Sequence, residues 1–210
     1  MMSPRPYEMG RRQSSVDETR GRIVAAARDL LVEKGIVAVD AVARRADVSR
    51  ATVYYQFGTK IGLLEALCDD LAARGHMQQL AEAFGLIDAH AALRAFVHTI
   101  ADFWAVDRAC TRRLRGLAAL DPDVGQVIGA RDERRRAGAE VLARRLATAD
   151  GDPASEGSQM NGRFAAVLYT LTGFEVFDSL AGDGPLAEAA PTVLALLHAA
   201  LGDPPPGADA

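Results

Sequence analysis

The sequence predicts an all-α protein of about nine helices, on three observations. Apolar residues recur three and four apart along most of the chain, as they do on one face of a helix. No stretch alternates apolar and polar as a half-buried strand does. Apolar residues make up 49% of the 210 and aromatic residues only 6%, a balance that suits helices built on Ala and Leu. This length fits one large domain or two modest ones.

Taken in order, residues 1–14 hold two prolines, three arginines and few apolar groups, and are expected to be a disordered basic arm. Arg5, Arg11 and Arg12 could track phosphates, although a solvated tail is the simpler reading. A first helix starts at Ser15, whose Glu18 three residues on completes a capping box, or at Thr19. Ile23, Ala27, Leu30 and Leu31 form its buried stripe, and Gly35 ends it. Two short helices follow, Asp40 to Ala46 with Asp40 as N-cap, and Arg50 to Gln56 capped by Ser49. Between them Asp47, Val48 and Ser49 make a tight turn. Val42, Ala46, Val48, Val53 and Phe57 can share a small core, which leaves Arg50, Ala51, Tyr54 and Tyr55 pointing away. The pattern is a helix-turn-helix whose exposed face suits a DNA major groove.

A fourth helix starts near Lys60 behind a Thr59 cap, with Leu63, Leu64, Leu67 and Leu71 as its stripe. It runs to about Phe84, with a kink possible at Gly75. Leu93, Phe96, Val97, Ile100, Phe103 and Trp104 are spaced as one face of the next. A shorter helix covers about Arg108 to Leu120. Asp121-Pro122 is an N-cap followed by proline at the first helical position, opening a helix to about Ala149. Residues 151–157, GDPASEG, are a loop. Two last helices cover about Ser158 to Ala181 and Leu186 to Leu201, divided by Gly182-Asp183-Gly184-Pro185 and followed by a frayed tail. The expected domains are a helix-turn-helix head, residues 15–67, and a helical body, residues 68–202, with a tail at 203–210.

Within the head, the Ala43–Ala46 spacing precedes Val48-Ser49, then Thr52-Val53-Tyr54-Tyr55, Phe57, Thr59-Lys60 and Leu63-Leu64. Upstream stand Arg22-Ile23, Ala26-Ala27, Leu30-Leu31 and Glu33-Lys34-Gly35. Over roughly residues 20–67 this order of motifs resembles the tetracycline-repressor (TetR) family of transcriptional regulators. Asp47 stands where the family usually has glycine, Ala38 where it usually has a capping threonine, and Ile61 where an acidic residue is common. The resemblance implies a DNA-binding head on a helical ligand-binding and dimerisation body. By matching position it puts Arg50, Ala51 and Tyr54 near base edges, and Thr52, Tyr55, Gln56 and Lys60 near phosphates. The chemistry agrees, since arginine can fork onto guanine and an alanine methyl or tyrosine ring can meet a thymine methyl.

Charge and cysteine content narrow the classes further. Residues 1–60 carry 11 Lys+Arg against 7 Asp+Glu, while residues 61–210 carry 13 against 21, so a basic head sits on an acidic body. Cys68 and Cys110 are unrelated in spacing and fit a reducing cytosol. No apolar run reaches 18 residues and the N-terminus lacks a signal peptide, so a cytoplasmic protein with no membrane partner is expected. No catalytic residue, metal site or cofactor is expected. His98 and Asp102 are four apart, as metal ligands can be, but no third ligand is anchored by spacing and a packed histidine reads better. The run Arg131–Arg136 alternates with acids and reads as a solvated helix face.

The penultimate helix has apolar residues on more than one side, hence more than one packing partner. Leu168 to Phe174 looks like the family's dimer helix, which implies a homodimer through Phe164, Leu168, Leu171, Phe174, Val193 and Leu197; a purely intrachain core stays open. Phe96, Phe103, Trp104, Cys110, Tyr169 and Phe174 are candidates for a mainly apolar effector pocket, though each reads more readily as plain core. The expected function is a dimeric, sequence-specific regulator, most simply a repressor, that binds a palindromic operator and is released by a small-molecule effector. Two alternatives stay open. One is a DNA-binding dimer without an effector, and the other is a helical enzyme carrying a helix-turn-helix head.

Overall fold

The computed structural model describes residues 5–149 and 158–202, with backbone alone for 5–14 and 158–161. Among the described residues there are eleven α-helices, one 3-10 turn and no strand. In order they are α1 (Arg5–Lys34), α2 (Val39–Arg45), α3 (Arg50–Phe57), α4 (Lys60–Arg74), α5 (Gln79–Gly85) and α6 (Ala89–Ala105). Then come α7 (Arg108–Ala118), α8 (Pro122–Ala149), α9 (Ser158–Leu171), α10 (Phe174–Ala181), the 3-10 turn Leu186–Ala189, and α11 (Ala190–Leu201). The loop expected at 151–157 and the tail at 203–210 lie outside the described residues.

The chain forms two compact units. The first is Met1–Asp70 together with Arg112–Val127; the second is Leu71–Thr111 together with Ile128–Ala210. The first unit therefore takes in a segment from beyond the head as the sequence delimits it. Its core gathers Ile23, Ala27, Leu30, Leu31, Val42, Val53, Leu63, Leu64 and Leu67 with Leu114, Val124 and Val127. In the second unit Leu93, Phe96, Val97, Ile100 and Trp104 of α6 meet Leu142 and Leu146 of α8. Leu168, Phe174, Phe177, Val193 and Leu197 complete that core.

Four elements differ from expectation. The helix α1 extends back to Arg5, so residues 5–14 are helical rather than disordered. Pro6 is no obstacle there, because the first helical turn does not use its missing N–H. The two expected starts lie inside this helix, where the Thr19 hydroxyl donates to the Ser15 carbonyl at 2.9 Å. Asp40 is not the N-cap of α2; Ala38 stands there without a side-chain hydrogen bond, and Asp40 lies in the first turn. Aspartate is still favourable there, beside the positive end of the helix dipole.

The helix expected from Lys60 to Phe84 breaks instead of kinking. Gly75 accepts a close approach that no side chain could, since a Cβ on it would stand 2.8 Å from the Phe103 Cα. His76 follows at φ 53°, a left-handed turn that a helix cannot pass through. The helix expected from Ser158 to Ala181 also breaks, and α9 and α10 are bent by 51°. The Thr172 hydroxyl donates back to the Leu168 carbonyl at 2.7 Å, a bond that bends helices. Gly173 then starts α10 from an extended conformation. Two buried donors meet the freed carbonyls: Trp104 Nε1–H donates to Thr172 O at 3.1 Å, and Arg135 donates to Tyr169 O.

No single helix among the described residues is long and apolar enough to cross a membrane; only the bent α9–α10 pair reaches the required length and composition together.

Candidate nucleic-acid interface

The helix α3 is short, so its pose depends on its ends. At its start Ser49 Oγ accepts the Thr52 backbone N–H at 3.0 Å. Before that, Asp47 takes the left-handed turn at φ 52°, a conformation aspartate tolerates better than most residues. At its end Gly58, at φ 73°, donates its N–H to the Tyr54 carbonyl at 2.8 Å. The Gln56 carbonyl lies in the last turn of α3. Arg20 of α1 donates to it at 2.8 Å and lays its guanidinium 4.3 Å from the Phe57 ring centre. Nothing in the spacing of the sequence singled out Arg20 for this task. No local signal points to it, since Arg20 stands 36 residues from the carbonyl it meets.

Between those ends one face is buried and the other open. Val53 is 1% exposed, whereas Tyr55 is 85% exposed. Arg50, Ala51 and Tyr54 are exposed with it, and Thr52 and Gln56 are half-buried. So Arg50, Ala51, Tyr54 and Tyr55 share one open face, as their spacing predicts. Val48 and Phe57, expected in the core, are half-buried, and Arg20 lies over the latter.

The cations of this face are already engaged. Arg50 sits 3.2 Å from Asp40 of α2 and donates to the Tyr54 hydroxyl at 3.4 Å. The Tyr54 hydrogen bond, then the Asp40 charge, raise the arginine's pKa further above its ordinary value. Both members of the Arg50–Asp40 pair are more than half exposed, so water and salt screen the contact. On the opposite side of α2, Arg45 grips Glu33 of α1, whose carboxyl the hydrogen bond holds below the usual range.

Lys60 opens α4, where Thr59 Oγ1 accepts the Gly62 N–H at 3.0 Å as expected of a cap. Its ammonium lies 2.5 Å from Asp121 and 3.2 Å from Asp123, both at the start of α8. Partial burial alone would lower the Lys60 pKa, but hydrogen bonds to the two carboxylates carry it above the ordinary lysine value. The Lys60 bond in turn holds the Asp121 carboxyl below the usual aspartate range, against a smaller opposing effect of burial. Asp121 has a second task. Its Oδ1 accepts the backbone N–H of Asp123 at 3.0 Å and of Val124 at 3.3 Å, the N-cap that Asp121-Pro122 predicts.

In the second unit, three of the six candidate effector residues form a chain of rings. Phe103 and Trp104 stand 4.6 Å apart, and Trp104 and Phe174 5.6 Å in an edge-to-face pair. Tyr169 is half-buried and faces Arg135 and Arg136, each guanidinium about 4 Å from its ring centre. Phe96 pairs instead with Phe84 at 5.9 Å, and Cys110 is fully buried in the first turn of α7. The expectation that Arg131–Arg136 is a solvated face fails at Arg135. Its side chain is 8% exposed and lies against the α9–α10 break, donating to Thr172 Oγ1 at 3.2 Å and to Asp132 at 3.4 Å.

Of the expected dimer residues, Leu168, Val193 and Leu197 are fully buried, and Phe164 and Phe174 nearly so. These five side chains are consumed by packing within the chain; Leu171 is half-buried. On the same elements, Leu180 of α10 and Leu196 of α11 are exposed. His98 and Asp102 are both exposed, so His98 is not the packed histidine expected. Among the described residues no group of three or more His, Cys, Asp or Glu gathers to hold a metal.

Residues 23–67 match the sequence model of the family described as bacterial regulatory proteins, tetR family. The HTH-type transcriptional regulator SrpR of Pseudomonas putida is 38% identical over 69 residues, 32% of this chain and 31% of that protein. The uncharacterized HTH-type transcriptional regulator TtgW, also of Pseudomonas putida, is 40% identical over 65 residues, 30% of this chain and 46% of that protein. The matches thus span less than half the length of either relative. Solved structures share the fold over most of the chain. A TetR-like transcriptional regulator from Rhodococcus sp. RHA1 has a TM-score of 0.58 at 20% identity, covering 88% of this chain and 96% of its own. A second transcriptional regulator from the same organism has a TM-score of 0.56 at 20% identity, covering 86% and 96%.

Proposed function

We propose that the chain, whose residues 23–67 match the model of the tetR family of bacterial regulatory proteins, regulates transcription by binding a specific DNA sequence through α3. The observation that carries this reading is the division of α3. Val53 anchors it, both its ends are tied down, and Arg50, Ala51, Tyr54 and Tyr55 are left open on one side. These residue types fit base edges. Arginine forks onto the two acceptors of guanine, and the alanine methyl and tyrosine ring suit a thymine methyl. To reach a base, Arg50 must leave Asp40, and the exposure of both groups keeps that exchange inexpensive.

The reading extends to a homodimer on a palindromic operator, because one chain carries one reading helix and a palindrome needs two. Leu180 and Leu196, exposed on α10 and α11, are the side chains on those helices that a partner could cover. The same reading makes the protein a repressor that a small, mainly apolar effector releases, with Phe103, Trp104 and Phe174 beside the effector. It is a binding protein, not an enzyme.

Selection from a random-sequence duplex pool tests the DNA reading. A palindromic motif with half-sites about one helical turn apart is the expected product. A pool that enriches no motif, while the folded protein binds all duplexes alike, would sink it.

A further inference from the structure

Lys60 and Lys34 are the only lysines in a chain with 24 basic residues, and Lys60 holds a particular place. It lies three residues beyond the end of α3 and is the first residue of α4. An eight-residue helix is about 12 Å long, close to the ~12 Å width of the major groove, so the segment that follows it meets the phosphate wall. Helix starts favour phosphate through their free N–H groups, and a lysine there adds a point charge.

Yet in the unbound chain this ammonium is shared by two carboxylates, at 2.5 and 3.2 Å. Lys60 and Asp121 are each only about a quarter exposed, so this pair is less screened than the pair of Arg50 with Asp40. One positive charge between two negative ones leaves the cluster with a net charge of −1, which repels a phosphate. A phosphate can gain Lys60 only by drawing it from the two acids.

Resting on the reading of α3 as the DNA reader, we propose that Asp121 and Asp123 are positioning residues that hold Lys60 off the phosphate backbone and thereby lower the protein's affinity for DNA of any sequence. The restraint acts on a backbone contact, so it weakens operator and random DNA by one factor and leaves base preference alone. The ratio of operator to random-DNA affinity is therefore unchanged, and the restraint sets the overall affinity alone. Asp121 is well placed to act because its two oxygens divide the work. Oδ1 caps α8 while Oδ2 holds Lys60, so the restraint is fixed to the start of a helix and not to a loose side chain.

The test needs only a random-sequence duplex. Its affinity is measured across a salt series for the full chain, Asp121→Asn/Asp123→Asn, Lys60→Ala and the triple variant. Asparagine serves as well as aspartate at an N-cap, so the double variant keeps the start of α8; helix content by circular dichroism checks this. Removing the acids should raise affinity about three- to tenfold, and the gain should vanish in the Lys60→Ala background. Asp123→Asn alone, which leaves the cap untouched, should give part of the gain. An equal gain with and without Lys60 would overturn the proposal, since a general change of field would then explain it. So would no gain while the full chain binds duplex. If no variant binds duplex even at low salt, the DNA reading itself falls.

A second measurement reads Lys60 directly. Reductive dimethylation with carbon-13 labels two side chains and the α-amino group, and Lys60→Arg identifies the Lys60 signal. The signal should move in Asp121→Asn/Asp123→Asn and on adding duplex to the full chain. A signal indifferent to both would overturn the proposal.

Discussion

Each unit holds a cation cluster, and the two clusters use their charges in opposite ways. In the first, Arg50 and Arg45 are exposed and Lys60 is half-buried, and each holds acids across short gaps. In the second, Arg135 is enclosed, and it holds the Tyr169 carbonyl and the Thr172 hydroxyl freed where α9 and α10 part. A screened surface pair contributes little to stability and can be traded for another partner. An enclosed guanidinium that donates to a helix carbonyl and a hydroxyl takes those hydrogen bonds with it when it is removed. The first arrangement suits an interface that must release its cations to DNA; the second suits a fixed bend. One residue type therefore carries either binding or architecture, and burial decides which.

The largest effect expected is at the bend. Arg135→Met keeps an apolar stem and removes the donors, and should lower the unfolding free energy by roughly 2–4 kcal/mol. Trp104, the only tryptophan, donates to the Thr172 carbonyl at the same bend, so its emission in a urea titration is a suitable monitor. Arg45→Ala, at an exposed pair, should shift the midpoint far less. Equal shifts would erase the distinction between the units.

Much of the first unit was legible because its signals are local. Ser49 and Gly35 are caps, Asp47 is a left-handed turn, and the apolar stripe of α1 is buried as its spacing requires. The second unit was harder to read because its breaks are tertiary. Residues 158–181 carry no proline, and apolar spacing runs through Thr172 and Gly173 without interruption. The carbonyls freed at the break are met by donors from far along the chain, Trp104 and Arg135. The same distance hid the role of Arg135 within an acid-interrupted basic run. Surplus apolar residues on α9 to α11 pointed toward a partner chain, but Leu168, Val193 and Leu197 are spent on the core. Apolar content predicts burial without saying by what. Asp121 was legible as a cap but not as the partner of Lys60, 61 residues away.

Binding should rank the cations of the first unit. Arg50→Ala should lower affinity for the selected duplex roughly ten- to hundredfold and relax preference at one base position. Its effect on the unfolding midpoint should be negligible, because the Asp40 pair is exposed on both sides. An equal loss on all duplexes would move Arg50 from base to phosphate. Arg20→Ala should do less, about three- to fivefold on the selected duplex, because it loosens the end of α3 without removing a contact to DNA. The slope of log affinity against log salt should stay within about half a unit of the full chain's. A fall near 0.9 would instead make Arg20 a phosphate contact.

The smallest effect is that of pH on the Lys60 cluster, and its shape is informative. The Asp121 pKa is depressed below its ordinary value of 3.8, so its contribution is present above that value and is lost as pH falls through the lower folded-state pKa. The Lys60 pKa is raised above its ordinary 10.5, so its contribution is complete below that value and is lost as pH rises through the higher folded-state pKa. Between those limits neither group changes charge. The stability difference between the full chain and Asp121→Asn/Asp123→Asn should therefore be flat through the neutral range and amount to less than about 1 kcal/mol. It should shrink only in strong acid and strong base, as urea midpoints at a series of pH values would reveal. A difference that changes near neutrality would mean that another titrating group governs Lys60. A flat difference of several kcal/mol would make the cluster as fixed as the Arg135 bend, and Lys60 would then be too costly to release to DNA.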